Sequence, residues 1–220
     1  MASVATTTRV VLSRALPLVN GSKAAAGRDF ALGSVGAGTG ATTVNCKGGI
    51  GSASEQTSDG HLVGAIAVVN AAGSVLVDRG PWFWAAPFER NSEFGGRGLL
   101  SPFPAAAFEP LTKGSAREST TLVVVATDAI LTKAQAKRLA VMAQSGLSRA
   151  IYPVHSPLDG DVVFAASTAR RPLADAYLAL TRLGTIAANV VARAVARGVF
   201  EATALPFAGA LPSWKDHFGR

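Results

Sequence analysis

Ser119-Thr120-Thr121-Leu122-Val123-Val124-Val125-Ala126-Thr127-Asp128 is the stretch that decides the fold. Three hydroxyl residues stand directly before a short, β-branched apolar run, which predicts a buried strand. A hydroxyl at the start of such a strand also permits a reaction. If the chain is cut before Thr120, that residue gains an α-amino group, whose ordinary pKa is about 7.7–8.0, and the amine can act as base for its own hydroxyl. The simpler interpretation is a strand that happens to begin with Ser-Thr-Thr.

The composition predicts one folded unit without an internal disulfide. Of 220 residues, 49% are apolar and 16% charged, so the chain can bury a sizeable core. Its one cysteine, Cys46, excludes an internal disulfide and a cysteine-rich zinc site. The net charge of +7 comes from scattered Lys and Arg residues, which favours an ordinary basic surface over a nucleic-acid partner. No apolar stretch is long enough to predict a membrane span.

The first residues differ from the rest of the chain. Residues 1–20 contain Arg9 and Arg14, many Ser and Thr residues and no acidic residue, which is typical of an organelle transit peptide. An ordinary N-terminus of arbitrary composition is the alternative. We therefore predict a cytoplasmic protein, or an organelle-targeted one if the transit interpretation holds. Residues 1–30 are predicted to be a poorly ordered extension ahead of a single domain formed by residues 31–220.

Two glycine-rich segments, residues 33–41 and 47–54, precede the first apolar run. They lack the Gly-Lys-Ser/Thr ending of a phosphate loop and the flanking strand and helix of a dinucleotide site. They predict instead a backbone that approaches a neighbour closely. Lys47, the one charge in these segments, is either a solvated lysine or a site cation. Asn70, at the end of the apolar run 62–70, is either a turn former or a hydrogen-bond donor in a site.

The segment before Thr120 reads as a hairpin and a long loop. Residues 62–70 and 75–77 predict the two strands of the hairpin. Residues 80–119 are rich in proline, glycine and aromatic side chains without clear periodicity, and a loop of this length acts as a lid, a subunit contact or a segment freed by cleavage. Its polar end, residues 111–119, suits a processing site.

The C-terminal half predicts alternating strands and helices. After the Thr120 strand, apolar residues at helical spacing predict an amphipathic helix with Thr132 as its N-cap and Gly146 as its stop. A second strand is predicted at residues 162–166 and a long helix at residues 173–197. This order predicts an α/β or α+β layered domain in which helices cover sheets.

Two carboxylates, Asp159 and Asp161, flank Gly160. Such a pair can hold a turn, bind a metal or perform acid–base chemistry. A metal normally needs more oxygen ligands than two, and His155 is separated awkwardly from the pair by Pro157. Beside a hydroxyl and an amine, a carboxylate can orient the amine as it shuttles a proton, and mutual repulsion raises the pKa of one acid of the pair. The acid–base interpretation therefore fits the Thr120 hypothesis better.

Together these motifs resemble a known family. The matching blocks are residues 33–41, 47–51, 68–73, 120–121 with 126–129, 149–151, and 153–156 with 159–161. They resemble the P1-type peptidases, which comprise L-aminopeptidase/D-esterases, β-peptidyl aminopeptidases and nylon-oligomer (6-aminohexanoate-oligomer) endohydrolases. Two aspartates with Thr rather than Ser as nucleophile are most similar to the nylon-oligomer branch. The resemblance covers roughly residues 33–197, and several blocks agree.

The resemblance implies a fold and a maturation step. The fold is an αββα sandwich, similar to N-terminal nucleophile hydrolases but with different connectivity. The precursor cuts itself between Ser119, where this branch usually has Asn, and Thr120. Residues 31–119 would then be the remainder of the α chain and residues 120–220 the β chain, together one domain. The family usually carries a longer segment ahead of residue 33, so we expect a member that lacks this N-terminal segment.

The resemblance also implies the site residues. Thr120 attacks the amide carbonyl, and its own amine is the base. Asp159 and Asp161 match the two acidic partners, Asn70 the oxyanion-hole amide and Lys47 the site lysine. No cofactor is implied, because the nucleophile, base and oxyanion donors all come from the chain. The expected substrate is a small peptide or amide, and the α and β chains are expected to associate into a homo-oligomer.

Three functions remain open from the sequence. The first is a self-processing N-terminal-nucleophile hydrolase that cleaves amides, as an aminopeptidase or an amide-oligomer hydrolase. The second is an inactive, shortened family member that acts as a binding or assembly subunit. The third is an acyltransferase, because ornithine acetyltransferase shares the implied fold.

Overall fold

The computed structural model describes residues 30–113 and 119–219 of the chain. The predicted extension, residues 1–30, lies outside this part except for its last residue, and residues 114–118 of the polar segment lie outside it as well. The described elements, in chain order, are β1 (Ile50–Gln56), β2 (Leu62–Asn70), β3 (Thr120–Ala129), α1 (Lys133–Ser148), β4 (Val162–Arg171), α2 (Leu178–Phe200) and α3 (Trp214–Phe218), with three short 3-10 turns at Gly36–Gly38, Ala86–Phe88 and Ala105–Phe108.

The quoted stretch forms β3, as predicted, and β3 lies inside the sheet. The strand order is β1-β2-β3-β4. β2 is antiparallel to both β1 and β3, whereas β4 is parallel to β3. Parallel neighbours need a crossover connection, and α1 provides it between β3 and β4. The β-branched run is therefore paired on both edges, which explains its continuous apolar character.

Helices α1 and α2 cover one face of the sheet. The side chains of β3 on that face, Val123 and Val125 among them, are fully buried. By length and composition α2 could cross a membrane, but 61% of its most apolar window is buried inside the fold. Its apolar character is that of a core helix, which packs against α1, β1 and β2.

The glycine-rich segments allow the close backbone approach that the sequence predicts. A Cβ atom on Gly51 of β1 would lie 1.8 Å from the carbonyl oxygen of Ala194 in α2. A Cβ atom on Gly48 would lie 2.0 Å from the carbonyl oxygen of Val69 in β2. No side chain fits at these distances, so the glycines bring β1 and its approach against the core.

The opposite face of the sheet is partly uncovered in the described part of the chain. Leu122 of β3 is 44% exposed, and Phe164 of β4 is 57% exposed. Side chains alternate along a strand and paired residues share a face, so Thr120 and its partner Asn70 lie on the same face as Leu122. One helix layer and one sheet layer confirm the layered α/β class. They make up two of the four layers of an αββα sandwich.

Two sequence predictions about the strands fail for identifiable reasons. The sequence does not predict β1, because Ile50–Gln56 has few apolar residues and no alternation; the strand forms through its pairing with β2 and its packing on α2. The predicted hairpin is wrong. Residues 75–77 form no strand, and Leu76 makes only an isolated bridge to Phe83, while β2 pairs with β1 and β3 instead.

The predicted helices exist, but some of their ends differ. At the start of α1 the Thr132 hydroxyl accepts from the N–H of Gln135, and the Gln135 side chain accepts from the N–H of Thr132, which confirms the predicted N-cap as a capping box. The helix continues past Gly146 to Ser148, because Gly146 packs against α2 rather than ending the helix. The second helix begins at Leu178, later than the predicted residue 173.

We expect Cys46 to be unreactive in the folded chain. Its side chain is buried, and burial raises the pKa of the thiol to about 11. At pH 8 only about one thiol in a thousand would be ionised, and the thiolate is the reactive form. A colorimetric thiol reagent should therefore report no rapid reaction in native buffer and one thiol per chain in guanidinium chloride. Fast, stoichiometric reaction of the native chain would contradict this burial.

Candidate active site

The carbonyl of the Ser119–Thr120 peptide bond accepts two hydrogen bonds. The Thr120 hydroxyl donates to the Ser119 carbonyl oxygen at 2.6 Å. The backbone N–H of Gly160 donates to the same oxygen at 2.9 Å. The hydroxyl and the carbonyl thus stand side by side at the start of β3, and the carbonyl is polarised by both donors.

Asp159 lies next to this peptide bond. It forms a parallel bridge with Ser119, and its Oδ1 accepts from the N–H of Ala72 at 3.2 Å. Its Oδ2 is buried, without a hydrogen-bond partner among the described residues. Burial, and next the negative charge of Asp161, raise the pKa of Asp159 above its ordinary value, although the Ala72 N–H opposes them. Asp159 therefore keeps its proton to higher pH than an ordinary aspartic acid, which suits a proton carrier.

Asp161 holds the residue that follows Thr120. Its Oδ1 accepts from the backbone N–H of Thr121 at 2.7 Å. Its side chain is only 1% exposed, and the Nδ1 of His155 lies 3.4 Å from its Oδ2. At the start of β3, the backbone of Asp159 thus lies beside Ser119, and the carboxylate of Asp161 binds Thr121.

Asn70 stands opposite Thr120 in the sheet register. Its side-chain oxygen accepts from the N–H of Thr42 at 3.1 Å and from the ammonium of Lys113 at 2.9 Å. Two donors therefore fix the orientation of this amide. The NH₂ end of an asparagine side chain is the part that can donate to an oxyanion.

Lys47 is not a solvated lysine. Its side chain is almost fully buried, and its ammonium donates to the carbonyl oxygens of Ala41 at 2.6 Å and Gly38 at 3.4 Å. Burial lowers the pKa of the ammonium. Lys47 holds the glycine-rich segment whose next residue, Thr42, binds Asn70. These hydrogen bonds place Lys47 behind Asn70, with Thr42 between them, and its role as the site lysine stays a prediction.

Sequence reasoning misses two groups at this site. Lys113 contacts Asn70, but its only signal in the sequence is a basic residue in the polar segment just ahead of Thr120. Gly160 donates to the Ser119 carbonyl, and its signal was its position between the two aspartates. The structure brings Thr120, Asn70 and both aspartates to one end of the sheet.

Part of the long loop, together with Tyr152, forms an aromatic cluster near this end of the sheet. Its rings are Trp84, Phe103, Phe108 and Tyr152, and Trp84 stacks on Phe103 with ring centroids 5.7 Å apart. Tyr152 pairs with Ser74, close in the chain to the Ala72 that binds Asp159. Phe108 is 53% exposed, so the cluster offers an apolar surface.

Comparison with known sequences places the chain among peptidases. The profile of peptidase family S58 matches residues 6–210. Proteins named as uncharacterized aminopeptidases in Mycobacterium bovis (strain ATCC BAA-935 / AF2122/97) and Mycobacterium tuberculosis (strain ATCC 25618 / H37Rv) are each 41% identical to it over 208 residues, which cover 89% of this chain and 59% of theirs. The chain therefore spans 59% of the length of these relatives.

Solved structures show the same fold. The PH0078 protein from Pyrococcus horikoshii OT3 superposes with a TM-score of 0.54 at 27% identity, over 81% of this chain and 47% of that one. A β-aminopeptidase from Burkholderia sp. gives a TM-score of 0.56 at 24% identity, over 84% and 51% of the two chains. The L-aminopeptidase D-Ala-esterase/amidase from Ochrobactrum anthropi, described as a variant among the Ntn hydrolase fold, gives 0.56 at 23% identity, over 87% and 54%.

These similarities confirm the aminopeptidase resemblance and the Ntn-hydrolase-like fold. The profile match runs through the glycine-rich segments, β3 and the two aspartates, because it covers residues 6–210. The chain belongs to peptidase family S58.

Proposed function

We propose that the chain is a self-processing amide hydrolase in which Thr120 becomes the nucleophile after cleavage of the Ser119–Thr120 bond. One observation carries this proposal: the Thr120 hydroxyl lies 2.6 Å from the carbonyl oxygen of that bond. The attacking atom and the bond to be cut are thus already adjacent, and such proximity removes much of the entropic cost of the reaction.

The cleavage step balances with groups of this chain. The Thr120 oxygen forms a bond to the Ser119 carbonyl carbon, and the negative charge that develops on the carbonyl oxygen meets the N–H of Gly160. The C–N bond then breaks, and the proton released by the hydroxyl reaches the leaving nitrogen of Thr120, with Asp159 as its carrier. Water hydrolyses the resulting ester, which leaves a carboxylate on Ser119 and a free amine and hydroxyl on Thr120.

Hydrolysis of a substrate reuses the same groups. The free α-amine of Thr120 takes the proton of its hydroxyl as the oxygen attacks the substrate carbonyl. The NH₂ end of Asn70, oriented by Lys113, stabilises the oxyanion. The amine proton then passes to the leaving nitrogen, and water releases the acyl group from Thr120.

The family supports peptides and related amides as substrates. Within the family we propose amide oligomers of the nylon type as the finer class, because a threonine nucleophile with two aspartates is most similar to that branch. The exposed aromatic cluster favours substrates with apolar segments. We also propose that the cleaved chains associate into a homo-oligomer.

An assay on amides of two kinds tests the proposal. The chain is first allowed to cleave, and it is then given amino-acid p-nitroanilides and 6-aminohexanoate oligomers. We expect release of p-nitroaniline or of 6-aminohexanoate by the cleaved chain and none by an uncut variant. Complete cleavage without hydrolysis of either class would contradict the hydrolase and favour a different use of Thr120.

Gly160→Ala should slow self-cleavage at least about tenfold, because proximity effects of this size follow from small displacements of a reacting atom. A Cβ atom at this position would lie 2.8 Å from the Thr120 hydroxyl oxygen, while the N–H that binds Ser119 would remain. The backbone of Gly160 is not in the left-handed region, so alanine is tolerated conformationally. The control is Gly40→Ala, where a Cβ atom meets nothing within 4 Å. Equal cleavage rates for the two variants, by intact mass, would contradict this account.

The assembly alternative is favoured by one observation, the partly uncovered apolar face that carries Leu122 and Phe164. A subunit that buries this face against a partner need not be active itself. A folded chain that stays uncut and gains no activity would favour this second function. No contact among the described residues favours acyl transfer, the third function open from the sequence.

A further inference from the structure

We propose that His155 is a positioning residue, which holds Asp161 so that Asp161 in turn fixes the backbone beside Thr120. The inference rests on the proposed function of Thr120. In the sequence, His155 stands out as a poor third metal ligand and as part of the matching block 153–156.

Asp161 is a buried carboxylate, and one of its two oxygens has no hydrogen-bond partner among the described residues. Its side chain is 1% exposed, and its Oδ1 is taken by the N–H of Thr121. Its Oδ2 is buried, and no hydrogen bond reaches it from the described residues. A carboxylate out of water needs a compensating partner. The Nδ1 of His155, 3.4 Å from Oδ2, is the group placed to supply one.

The backbone of His155 is held in a conformation that histidine seldom adopts. Its φ angle is +54°, in the left-handed region. Such a residue persists where the surrounding structure fixes it, and strained positions of this kind cluster at functional sites. With this φ angle, the imidazole Nδ1 lies 3.4 Å from the Oδ2 of Asp161.

His155 is not a core residue. Its side chain is 34% exposed, so shortening it opens no cavity in the packed interior. The pKa of Asp159 is raised by burial and by the negative charge of Asp161, and lowered by Lys113 and by His155. The imidazole thus lies against Asp161 from the solvent side, while Thr121 faces Asp161 from β3.

The consequence concerns the chemical step rather than substrate binding. Without His155 the Asp161 carboxylate is free to turn, and its bond to the Thr121 N–H weakens. Thr120 then loses its fixed orientation, and misplacement of a nucleophile costs on the order of tenfold to a hundredfold in rate. The same loss should appear in self-cleavage and in kcat, because both use the Thr120 oxygen.

The test compares His155→Ala and His155→Asn with the matched control His217→Ala, an exposed histidine of α3. Asparagine keeps a side-chain donor and tolerates the left-handed region. The measurements are the self-cleavage rate by intact mass, kcat and KM on an amide that the native chain hydrolyses, and the Thr121 amide resonance in ¹H–¹⁵N spectra. That resonance reports directly on the bond to Asp161.

We expect His155→Ala to lower the cleavage rate and kcat about tenfold or more, to leave KM within about twofold, and to shift the Thr121 resonance. His155→Asn should recover most of the rate, and His217→Ala should match the native chain. A native rate in His155→Ala, or a slower rate with an unmoved Thr121 resonance, overturns the inference while the proposed function stands. A native chain that neither cleaves nor hydrolyses overturns both.

Discussion

Thr120→Ala should leave the chain uncut and lower amide hydrolysis by about 10⁴-fold or more, the loss typical of removing a covalent nucleophile. Alanine keeps the strand and its place opposite Asn70, but it has no oxygen to attack the Ser119 carbonyl carbon. In the native chain the Thr120 hydroxyl oxygen lies 2.6 Å from the Ser119 carbonyl oxygen. Intact mass measures the cleavage, and product release from an amide measures the hydrolysis.

Two neighbouring variants separate chemistry from structure. Thr120→Ser keeps a hydroxyl and should still cleave. Thr121→Val removes a hydroxyl oxygen that is buried and has no hydrogen-bond partner among the described residues, so it should leave cleavage close to native. If Thr120→Ala cuts at the same bond, or hydrolyses amides at the native rate, Thr120 is not the nucleophile.

Arg193→Met should lower the free energy of unfolding by about 3–5 kcal/mol, the usual cost of breaking a buried ion pair. The Arg193 side chain is 8% exposed and binds both Glu93 and Glu55, and it also donates to the carbonyl oxygen of Ser54 at 3.1 Å. It thereby ties α2 to β1 and to the loop that carries Glu93. The variant leaves the largely buried Glu93 with the more distant Arg197, 3.9 Å away, and Glu55 with the exposed Arg90.

Arg90→Met is the matched control, because Arg90 binds the same Glu55 at 3.1 Å from a side chain that is 59% exposed. Exposed pairs contribute about 0–1 kcal/mol. Denaturant unfolding of both variants, followed by circular dichroism, compares the two positions directly. Equal losses at the two positions would show that burial does not set the strength of this network.

The central strand and the first helix could be predicted because local sequence and tertiary structure agree there. The β-branched run after Thr121 is paired with a strand on both edges, and Thr132 is the N-cap that the sequence predicts. β1 could not be predicted in this way. Its strand character comes from pairing with β2 and from a 1.8 Å Cβ approach to α2 at Gly51, both of which are long-range effects.

Some residues of the candidate site could likewise be predicted from the sequence, whereas others are placed there only by the folded chain. Thr120, Asn70 and the two aspartates lie at the ends of strands or in a tight turn, and the resemblance of their motifs to a known family predicted all four as site residues. Lys113, which the sequence analysis does not name, contacts Asn70, whereas the predicted site lysine Lys47 binds a carbonyl oxygen of the glycine-rich segment. A lone lysine in a glycine-rich segment signals a special position, but only the folded chain shows which carbonyl oxygens it binds.

The most direct measurement is the intact mass of the purified native chain over several days, with folding checked by circular dichroism. Adjacency of the Thr120 hydroxyl and the Ser119 carbonyl predicts two polypeptides, one ending at Ser119 and one beginning at Thr120. Sequencing of the second from its new N-terminus should read Thr-Thr-Leu-Val. A folded chain that keeps a single uncut mass, or one that is cut at a different bond, would contradict the account.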